Sequence, residues 1–367
     1  MEGDCSRNRL LCGNVSQSLP ASGQVAGHRP LAREKANGKG DFQVKPLTFA
    51  LLRRLADGEF HSGEALARQF GVTRATVCNA LRDSGSYGLT LYSVRGRGYR
   101  LARPLQWLDA DLIRAQLGAA AGDLHIEILD HAASSNALLL QRCTQGAPSG
   151  AVLAVEWQSA GRGRLGRAWH SALGDALTFS LLWRFESGLA ALSGLSLAVG
   201  VAMMRALHEL GVSGAALKWP NDVLLNEGKL AGILLEAQGD MLGPSAVVIG
   251  IGLNLAVPEA LRGQIEQPVS DLASLDMPMP ERNLVLAVSL KHLAAVLHEF
   301  VAHGFAPLRA EWERHHRFQQ SLVKILLPDG SHFAGMALGV TDDGALRLAT
   351  AQGEQLFNAG EVSLRSA

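Results

Sequence analysis

The sequence predicts a multi-domain α+β fold, and three observations along the chain lead to that prediction. Near the N-terminus, short helical patterns follow each other across a glycine-containing turn, and a hairpin pattern comes next. The middle of the chain alternates strand and helix signals. From about His316 onward helical periodicity stops, and short strands separated by turn sequences follow. With 367 residues the chain is also too long for one ordinary core, so two or three domains are expected.

The composition is that of a soluble globular protein without a dominant charge. The sequence holds 34 basic and 34 acidic residues, so no net charge steers the whole molecule to nucleic acid or membrane. Cys5, Cys12, Cys78 and Cys143 form no Cys-x-x-Cys pair, which argues against a zinc site or a disulfide framework and favours a reducing compartment. Neither an uninterrupted apolar run of about 18 residues nor the apolar core of a signal peptide occurs. We therefore expect a cytoplasmic protein.

The N-terminal part divides into a polar segment and a small helical domain. Residues 1–44 are rich in Gly, Ser, Asn and Arg without periodicity, so we expect a disordered tail or a misassigned start. After a first helix, Ser62 can cap a second one, and Thr73 can cap a third that spans Arg74–Arg82 beyond a glycine-containing turn. A hairpin with a basic, glycine-rich tip follows. Residues 45–103 are therefore predicted to form a winged helix-turn-helix.

Positive charge is concentrated in this predicted domain. Residues 45–103 contain ten basic and four acidic residues, an excess of six positive charges, which is typical of a surface that contacts nucleic-acid phosphates. The residues expected to face DNA from the third helix and the hairpin tip are Thr73, Arg74, Thr76, Asn79, Arg82, Arg95 and Arg97. Winged helices also serve as protein-interaction modules, and short arginine-rich hairpins can simply be solvated. Both alternatives stay open beside DNA binding.

The rest of the chain predicts two further domains, at residues 104–318 and 319–367. In the first, strand and helix signals alternate, and the longest helical patterns cover 194–210 and 282–303. This order predicts a mixed or antiparallel sheet with helices on one side. In the second, short strands are separated by turns such as Asp342-Asp343-Gly344. Such a run of short strands is typical of a small barrel.

The most distinctive segment is Gly161-Arg162-Gly163-Arg164-Leu165-Gly166-Arg167. It matches the G-x-G-x-x-G pattern of dinucleotide-binding folds, but only about ten residues separate it from the next predicted strand, which leaves no room for the crossover helix that such folds require. Three arginines in a flexible, glycine-rich backbone instead suit a loop that closes over phosphate and carboxylate groups, because arginine binds both in a bidentate way.

Three further segments combine polar residues with strand ends. Lys218-Trp219-Pro220-Asn221-Asp222 places a cation, an amide and a carboxylate in one strand–turn. Lys229–Glu236 begins an otherwise apolar strand with a lysine, and Gly232 within it allows close backbone approach. Gly250–Asn254 ends a buried strand with two glycines and an amide. Each segment alone is weak evidence, but together with the arginine loop they indicate a ligand site.

These segments carry a resemblance to a known family. From about Lys45 to its end, the sequence resembles the bifunctional biotin–protein ligases and biotin operon repressors of bacteria, in the winged helix, the arginine loop, the three segments above and the closing run 360–366. The resemblance implies a winged helix, a class II synthetase-like central domain with a mixed β-sheet and helices, and an SH3-like C-terminal β-barrel. It also implies two reaction steps. Biotin and ATP form biotinyl-5′-adenylate, which then biotinylates a lysine of a carrier protein.

The resemblance also implies roles for particular residues. Lys229, Arg164 and Asp222 would promote the reaction by positioning and charge, since no enzyme nucleophile is needed. The residues implied for biotin are Ser134, Ser135, Asn136, Gln158, Gly161, Arg162, Gly163, Arg164 and Lys229. The residues implied for ATP and the adenylate are Arg162, Arg164, Arg167, Lys218, Trp219, Asn221, Asp222, Lys229 and Asn254. Asp222 and Asn254 are the candidate ligands of Mg²⁺, as hard oxygen donors.

Two departures from the family pattern stand out. Ser135 replaces the threonine usual in the family, which keeps the hydroxyl and loses a methyl contact. The segment Arg262–Asp271 lacks the tryptophan that covers the adenine in the family's pattern, and Val269 can stand in its place. We expect weaker ordering of this segment around the adenylate.

The resemblance implies partners and leaves alternatives. The expected partners are the biotin carboxyl carrier protein of acetyl-CoA carboxylase, the operator DNA of biotin synthesis genes, and a second copy of the chain in an adenylate-bound homodimer. The alternatives are a lipoate–protein ligase, a ligand-sensing repressor whose central domain binds its ligand without catalysing a reaction, and a ligase whose winged helix does not repress transcription. Gln158 and the Ser-Ser-Asn set favour biotin over lipoate, because lipoate has no ureido group to bind. Lys229 and Asp222 argue against an inactive central domain.

Overall fold

The computed structural model describes residues 46–327, 331–358 and 363–366. The predicted tail, residues 1–44, lies outside this range. The N-terminal part folds as three short helices and a hairpin, as predicted. These elements are α1 (Pro46–Arg54), α2 (Gly63–Gln69), α3 (Arg74–Arg82), β1 (Leu91–Val94) and β2 (Gly98–Leu101). Ser62 Oγ accepts the N–H of Glu64, and Thr73 Oγ1 accepts that of Thr76, so both predicted caps are confirmed.

The hairpin is anchored to the turn between α1 and α2. His61 and Tyr99 exchange two backbone hydrogen bonds of 2.9 Å each, so β2 is paired on both sides. Gly98 has a φ of 103°, and a Cβ there would overlap the carbonyl of His61, so this position requires glycine. The anchoring makes the hairpin a fixed wing beside α3.

The central domain is built on a seven-stranded sheet. Its elements are α4 (Ala110–Leu117), β3 (His125–Ala132), α5 (Ser135–Thr144), β4 (Ala151–Gln158), β5 (Ala176–Phe185), α6 (Leu195–Glu209), β6 (Ala215–Lys218), β7 (Asp222–Leu225), β8 (Gly228–Gly239), β9 (Ser245–Asn254), α7 (Glu259–Arg262), α8 (Arg282–His303) and α9 (Arg309–His315). The strand order is β3-β4-β5-β9-β8-β7-β6. Only β3 and β4 run parallel among these pairs of described strands, so the predicted mixed sheet is confirmed.

Helices cover both faces of this sheet. Val152 and Ala154 of β4 join the main core with α4, α6 and α8, whereas Leu153 and Val155 pack with α5 on the opposite face. The prediction of helices on one side was therefore wrong for α5. The reason is that β4 is apolar at successive positions and needs cover on both faces. Residues 189–209 and 282–303 are apolar enough in composition for a membrane span, but more than half of each is buried in this core.

The C-terminal part is a small antiparallel β-structure. Its strands are β10 (Leu322–Leu326), β11 (His332–Val340), β12 (Leu346–Thr350), β13 (Gly353–Phe357) and β14 (Ser363–Ser366), in the order β13-β12-β11-β10-β14. Its buried side chains include Val323, Ile325 and Leu348. The Trp219 indole N–H donates a 3.1 Å hydrogen bond to the carbonyl of Gly344, which ties this barrel to the central sheet.

The winged helix packs against the central domain through an aromatic seam. The Tyr87 ring, which follows α3, lies edge-on to Phe49 of α1 at 5.4 Å and to Trp157 of β4 at 4.9 Å. The N–H of Leu173 donates to the carbonyl of Tyr87 at 2.8 Å. Both Trp157 and Leu173 are buried in the winged-helix core cluster. The two domains therefore share one core at this seam.

Candidate functional site

A polar cradle forms at the N-terminus of α5. Ser134 caps the helix, and the Ser135 N–H donates to Gln158 Oε1 at 2.7 Å. Ser180 Oγ of β5 lies 2.7 Å from Ser135 Oγ and 2.6 Å from Asn136 Oδ1. The structure thus brings together the four predicted biotin residues of this region and adds Ser180, which sequence analysis missed. Hydroxyl and amide groups in this arrangement can pair with a neutral polar ring without bringing in a charge.

Glu236 of β8 closes one side of this cradle. Asn136 Nδ2 donates to Glu236 Oε2 at 2.9 Å and to the carbonyl of Leu234 at 3.2 Å. The Arg162 guanidinium lies 2.9 and 3.1 Å from the two oxygens of the same carboxylate. Sequence analysis gave Glu236 no role, although an acidic residue at the end of an apolar strand was a signal for one.

Glycines of the neighbouring strands make room for the cradle. A Cβ at Gly250 would overlap the amide of Asn136, and a Cβ at Gly252 would overlap the Trp169 ring. These two positions of β9 therefore allow side chains to lie directly on the sheet backbone.

The arginine loop folds back on itself over the sheet. The Gly163 N–H donates to the carbonyl of Arg167 at 2.7 Å, and the Trp169 N–H donates to that of Gly161 at 2.8 Å. Arg164 Nη1 donates to Asn221 Oδ1 at 3.0 Å. Burial lowers the pKa of Arg164, while the nearby charge of Asp222 acts in the opposite direction. The loop therefore brings a partly desolvated guanidinium to the segment 218–222.

A partly buried ion pair lies where the loop meets the sheet. Lys229 Nζ is 2.6 Å from Asp222 Oδ1, and the two side chains are only 17% and 16% exposed. Lys229 Nζ also lies 5.8 Å from the centroid of the Trp169 ring. The site has two cavities, one at the cradle and one beside the segment 218–222, and Trp169 borders both. Its buried indole Nε1 has no hydrogen-bond partner. Sequence analysis missed Trp169, although an aromatic residue just after a basic loop was a signal.

A second cavity of about 480 Å³ continues beyond this ion pair, within the size range of small-molecule sites. Its lining includes Arg164, Arg167, Lys218, Asn221, Asp222 and Lys229, which were predicted to bind ATP and the adenylate. Trp219 borders it as well, but the Trp219 side chain is 1% exposed and its N–H is bound to Gly344. In this structure the Trp219 side chain therefore joins two domains, and its predicted contact with a nucleotide stays a prediction.

Asn254 lies behind the site. Its Nδ2 donates to the carbonyls of Lys229 and Ser270 at 3.1 Å each, and it lines neither cavity. Within the described part of the chain, no group of three or more His, Cys, Asp or Glu side chains is placed to hold a metal ion. The structure therefore gives Asn254 a structural task, which is to hold the segment around Val269 against β8. The Asp222–Asn254 magnesium pair stays a prediction.

The segment 262–271 is folded against Lys229. The Lys229 N–H donates to the carbonyl of Pro268 at 2.9 Å, and the Ser270 N–H donates to the carbonyl of Lys229 at 3.0 Å. Arg262 donates to the carbonyl of Val269 at 2.9 Å and forms an ion pair with Asp271. Val269 is thus held beside the backbone of Lys229.

The winged helix presents its basic residues to solvent. The exposed residues of α3 and the wing include Arg74, Thr76, Asn79, Arg82, Arg95 and Arg97, all of which were predicted to face DNA. The seventh, Thr73, is exposed too, and its hydroxyl is engaged in capping α3. The guanidinium carbons of Arg97 and Arg100 lie 4.1 and 4.9 Å from the centroid of Phe60. Phe60, which sequence analysis missed, therefore supports the basic wing from the α1–α2 turn.

The fold and the site together define a protein ligase that carries a helix-turn-helix domain. Family models match the same parts of the chain. Residues 132–254 match the biotin/lipoate A/B protein ligase family, residues 322–365 match the biotin protein ligase C-terminal domain, and residues 48–100 match an HTH domain.

Curated relatives are similar over most of the chain. It is 38% identical over 322 residues to the bifunctional ligase/repressor BirA of Salmonella typhimurium, which covers 88% of this chain and 98% of that protein. It is 34% identical over 262 residues to a biotin–[acetyl-CoA-carboxylase] ligase of Mycobacterium tuberculosis, covering 70% and 95%. The biotin protein ligase of Aquifex aeolicus in complex with biotin and ATP matches 66% of this chain and 98% of its own, with 29% identity and a TM-score of 0.56. The chain belongs to the family of bifunctional biotin–protein ligases and repressors.

Proposed function

We propose that this protein is an ATP-dependent biotin–protein ligase that also represses biotin synthesis genes. The observation that carries the ligase is the partly buried Lys229–Asp222 pair, because it lies where the neutral cradle of α5 meets the arginine loop. The residues of the cradle, on one side of the ion pair, suit an uncharged polar ring, and the basic residues on its other side suit anionic groups. Biotin joined to a phosphate has this distribution of polarity.

The residues of the site support the first reaction step by binding and orientation. The cradle of Ser134, Ser135, Asn136 and Gln158 binds the ureido ring, and Lys229 binds the biotin carboxylate. A carboxylate oxygen attacks the α-phosphorus of ATP and forms a new O–P bond, while the bond from the α-phosphorus to the oxygen that bridges to the β-phosphorus breaks and pyrophosphate leaves. Lys229 and Arg164 offset the repulsion between the two anions, and the loop excludes water from the product anhydride. Mg²⁺ bound with ATP would supply further charge neutralisation, and Asp222 is the residue of this chain that would offer it a ligand.

The second step uses a nucleophile from the substrate protein. The amine of a carrier lysine attacks the acyl carbon of the adenylate, an amide bond forms, and AMP leaves. The Trp169 ring, beside Lys229 in the wall between the two cavities, offers a flat surface for the adenine. The proposed carrier is the biotin carboxyl carrier protein of acetyl-CoA carboxylase, and the proposed location is the cytoplasm.

The winged helix supports the repressor activity. Its exposed basic residues suit phosphate contacts, and an HTH domain is what the family model matches there. One such module makes few base contacts, so we propose that an adenylate-bound homodimer binds the operator DNA of biotin synthesis genes.

The test of the ligase is Lys229→Ala. We expect adenylate formation to fall by at least about a hundredfold, since a charge that stabilises the reacting anions is lost. The measurement is pyrophosphate release with biotin and ATP, together with thermal unfolding to check the fold. Lys324→Ala, an exposed lysine of β10, is the matched control and keeps full activity.

A folded Lys229→Ala protein that releases pyrophosphate at the parental rate would remove the assigned role. Labelling of host lysate with radioactive biotin or lipoate then decides the substrate. A carrier band labelled by lipoate and not by biotin would establish the lipoate ligase instead.

A further inference from the structure

Glu236 places a negative charge next to the cavity of the cradle, where it is hydrogen-bonded to two residues that line that cavity, Asn136 and Arg162. Its side chain is 24% exposed, near the end of the β8 segment that begins with Lys229. A carboxylate in such a place repels biotin's carboxylate and the phosphates of ATP unless a cation neutralises it. Arg162 is the cation that neutralises it here.

The contacts of Glu236 join two parts of the site that bind different groups. Glu236 accepts from Asn136, whose amide oxygen lies 2.6 Å from Ser180 Oγ in the cradle. The same carboxylate accepts from Arg162, the first arginine of the loop. Glu236 therefore links the cradle to the loop through two direct hydrogen-bonded neighbours.

Arg162 and Arg164 differ in what they contact. Arg162 is bound to Glu236 in a two-oxygen ion pair and is 47% exposed. Arg164 is more deeply buried, near Asp222 and bound to the neutral amide of Asn221. Arg162 is thus tied to the carboxylate of Glu236, whereas Arg164 reaches the segment 218–222 on the other side of the loop.

We propose that Glu236 is a positioning residue that fixes the Asn136 amide for the ureido ring and anchors the arginine loop through Arg162, so that Arg164 and Lys229 bind the anionic groups. This inference rests on the proposed ligase function and assigns Arg162 to loop anchoring. It makes cradle geometry and loop closure depend on one carboxylate.

Two substitutions separate the two tasks. Glu236→Gln keeps an amide oxygen that accepts from Asn136 and removes the charge that holds Arg162. We expect release of biotinyl-adenylate to accelerate about two- to fivefold, the effect of a partly exposed ion pair, with the KM for biotin unchanged. Glu236→Ala also removes one of the two acceptors of the Asn136 amide and leaves only the carbonyl of Leu234. There we expect the same faster release and a rise of at least about fivefold in the KM for biotin.

A double-mutant cycle tests whether Glu236 acts through Arg162. Arg162→Gln, Glu236→Gln and the combination are compared by the off-rate of biotinyl-adenylate. The combination should release the adenylate no faster than the quicker single variant. Glu354→Gln, which breaks an exposed ion pair with Arg347 in the barrel, is the matched control and should leave both readouts at parental values.

Parental off-rates in a folded Glu236→Gln protein would overturn the anchoring, and additive effects in the cycle would show that Arg162 acts independently of Glu236. A rise in the KM for biotin that is as large in Glu236→Gln as in Glu236→Ala would overturn the positioning of Asn136. If Glu236→Ala fails to fold, Glu236→Gln and the cycle still decide the anchoring. An unmodified protein that makes no adenylate would instead refute the proposed function.

Discussion

At the scale of single residues, His316 has an environment that makes stability depend on pH. It is 5% exposed and its ring stacks on Trp312 at 4.5 Å, close to the junction with the barrel. Burial lowers the pKa of His316 to about 4 from an ordinary value of 6.5. The unfolded chain therefore gains a proton below pH 6.5 that the folded protein takes up only near pH 4.

We expect the free energy of unfolding to fall by up to about 3 kcal/mol from this histidine as pH decreases from 6.5 to 4. Urea unfolding at several pH values across that window measures it. In His316→Gln this part of the pH dependence should be absent. An equal slope in both proteins would show that His316 does not cause it.

The second prediction for a single residue concerns Arg164. Arg164→Gly removes the guanidinium that is buried against Asn221, so we expect biotinyl-adenylate to dissociate at least about tenfold faster, since a hydrogen bond of a charged group is lost. Free adenylate then labels lysines of a bystander protein. Arg167→Gly, in an exposed position of the same loop, should leak much less. Equal leakage from both variants would contradict the special position of Arg164.

Sequence identified the residues whose neighbours are close in the chain. The Lys229 segment was recognisable from its local residue types, whereas the Ser-Ser-Asn set was implied by the family resemblance. Ser180 was missed because it reaches the cradle only through the sheet, where it lies opposite Gly250. For Asn254 and Trp219, residue type suggested a ligand contact, but the direction of each side chain depends on register and packing that a single segment does not reveal.

At the scale of elements, the wing depends on the aromatic side chain beneath it. Phe60→Leu keeps apolar volume but removes the ring face over which Arg97 and Arg100 lie. We expect affinity for operator DNA to fall about two- to fivefold, with a shallower salt dependence as phosphate contacts are lost. Fluorescence anisotropy across a salt series measures both, and Phe60→Tyr should keep parental values. Unchanged affinity in Phe60→Leu would mean that the wing positions its arginines without this ring.

Element boundaries were predictable where a local signal defines them. The capped helix Arg74–Arg82 has the predicted bounds because Thr73 determines its start within a few residues. The face of the sheet on which α5 packs was not predictable. It depends on which face of β4 is already covered by helices that are distant in the sequence. The helix at 110–117 was not recognised, because only Ile113 and Leu117 of it are buried and its apolar pattern is short.

At the scale of the whole molecule, adenylate binding and dimerisation are predicted to be coupled. If adenylate binding raises the affinity of the two subunits for each other, dimerisation must raise the affinity for the adenylate by the same factor. Such a factor typically corresponds to a coupling free energy of about 1–3 kcal/mol. The lack of a tryptophan in 262–271 suggests the low end. Sedimentation with and without biotinyl-adenylate measures the shift, and a footprint on a biotin-gene promoter tests the DNA site. Equal sedimentation in both states and no protected site would leave a ligase whose winged helix does not repress.

The aromatic seam between the first two domains limits how this protein can be taken apart. If residues 46–103 were removed, Trp157 and Leu173 would become exposed to solvent and form a hydrophobic patch on the surface of the remaining protein. Trp157 is also the chain neighbour of Gln158, so polar replacements that restore solubility would be made right beside the cradle of α5. Loss of the DNA-binding domain, in evolution or in the laboratory, therefore calls for compensating changes in the catalytic strand itself. The ligase is not a module that a simple deletion can release.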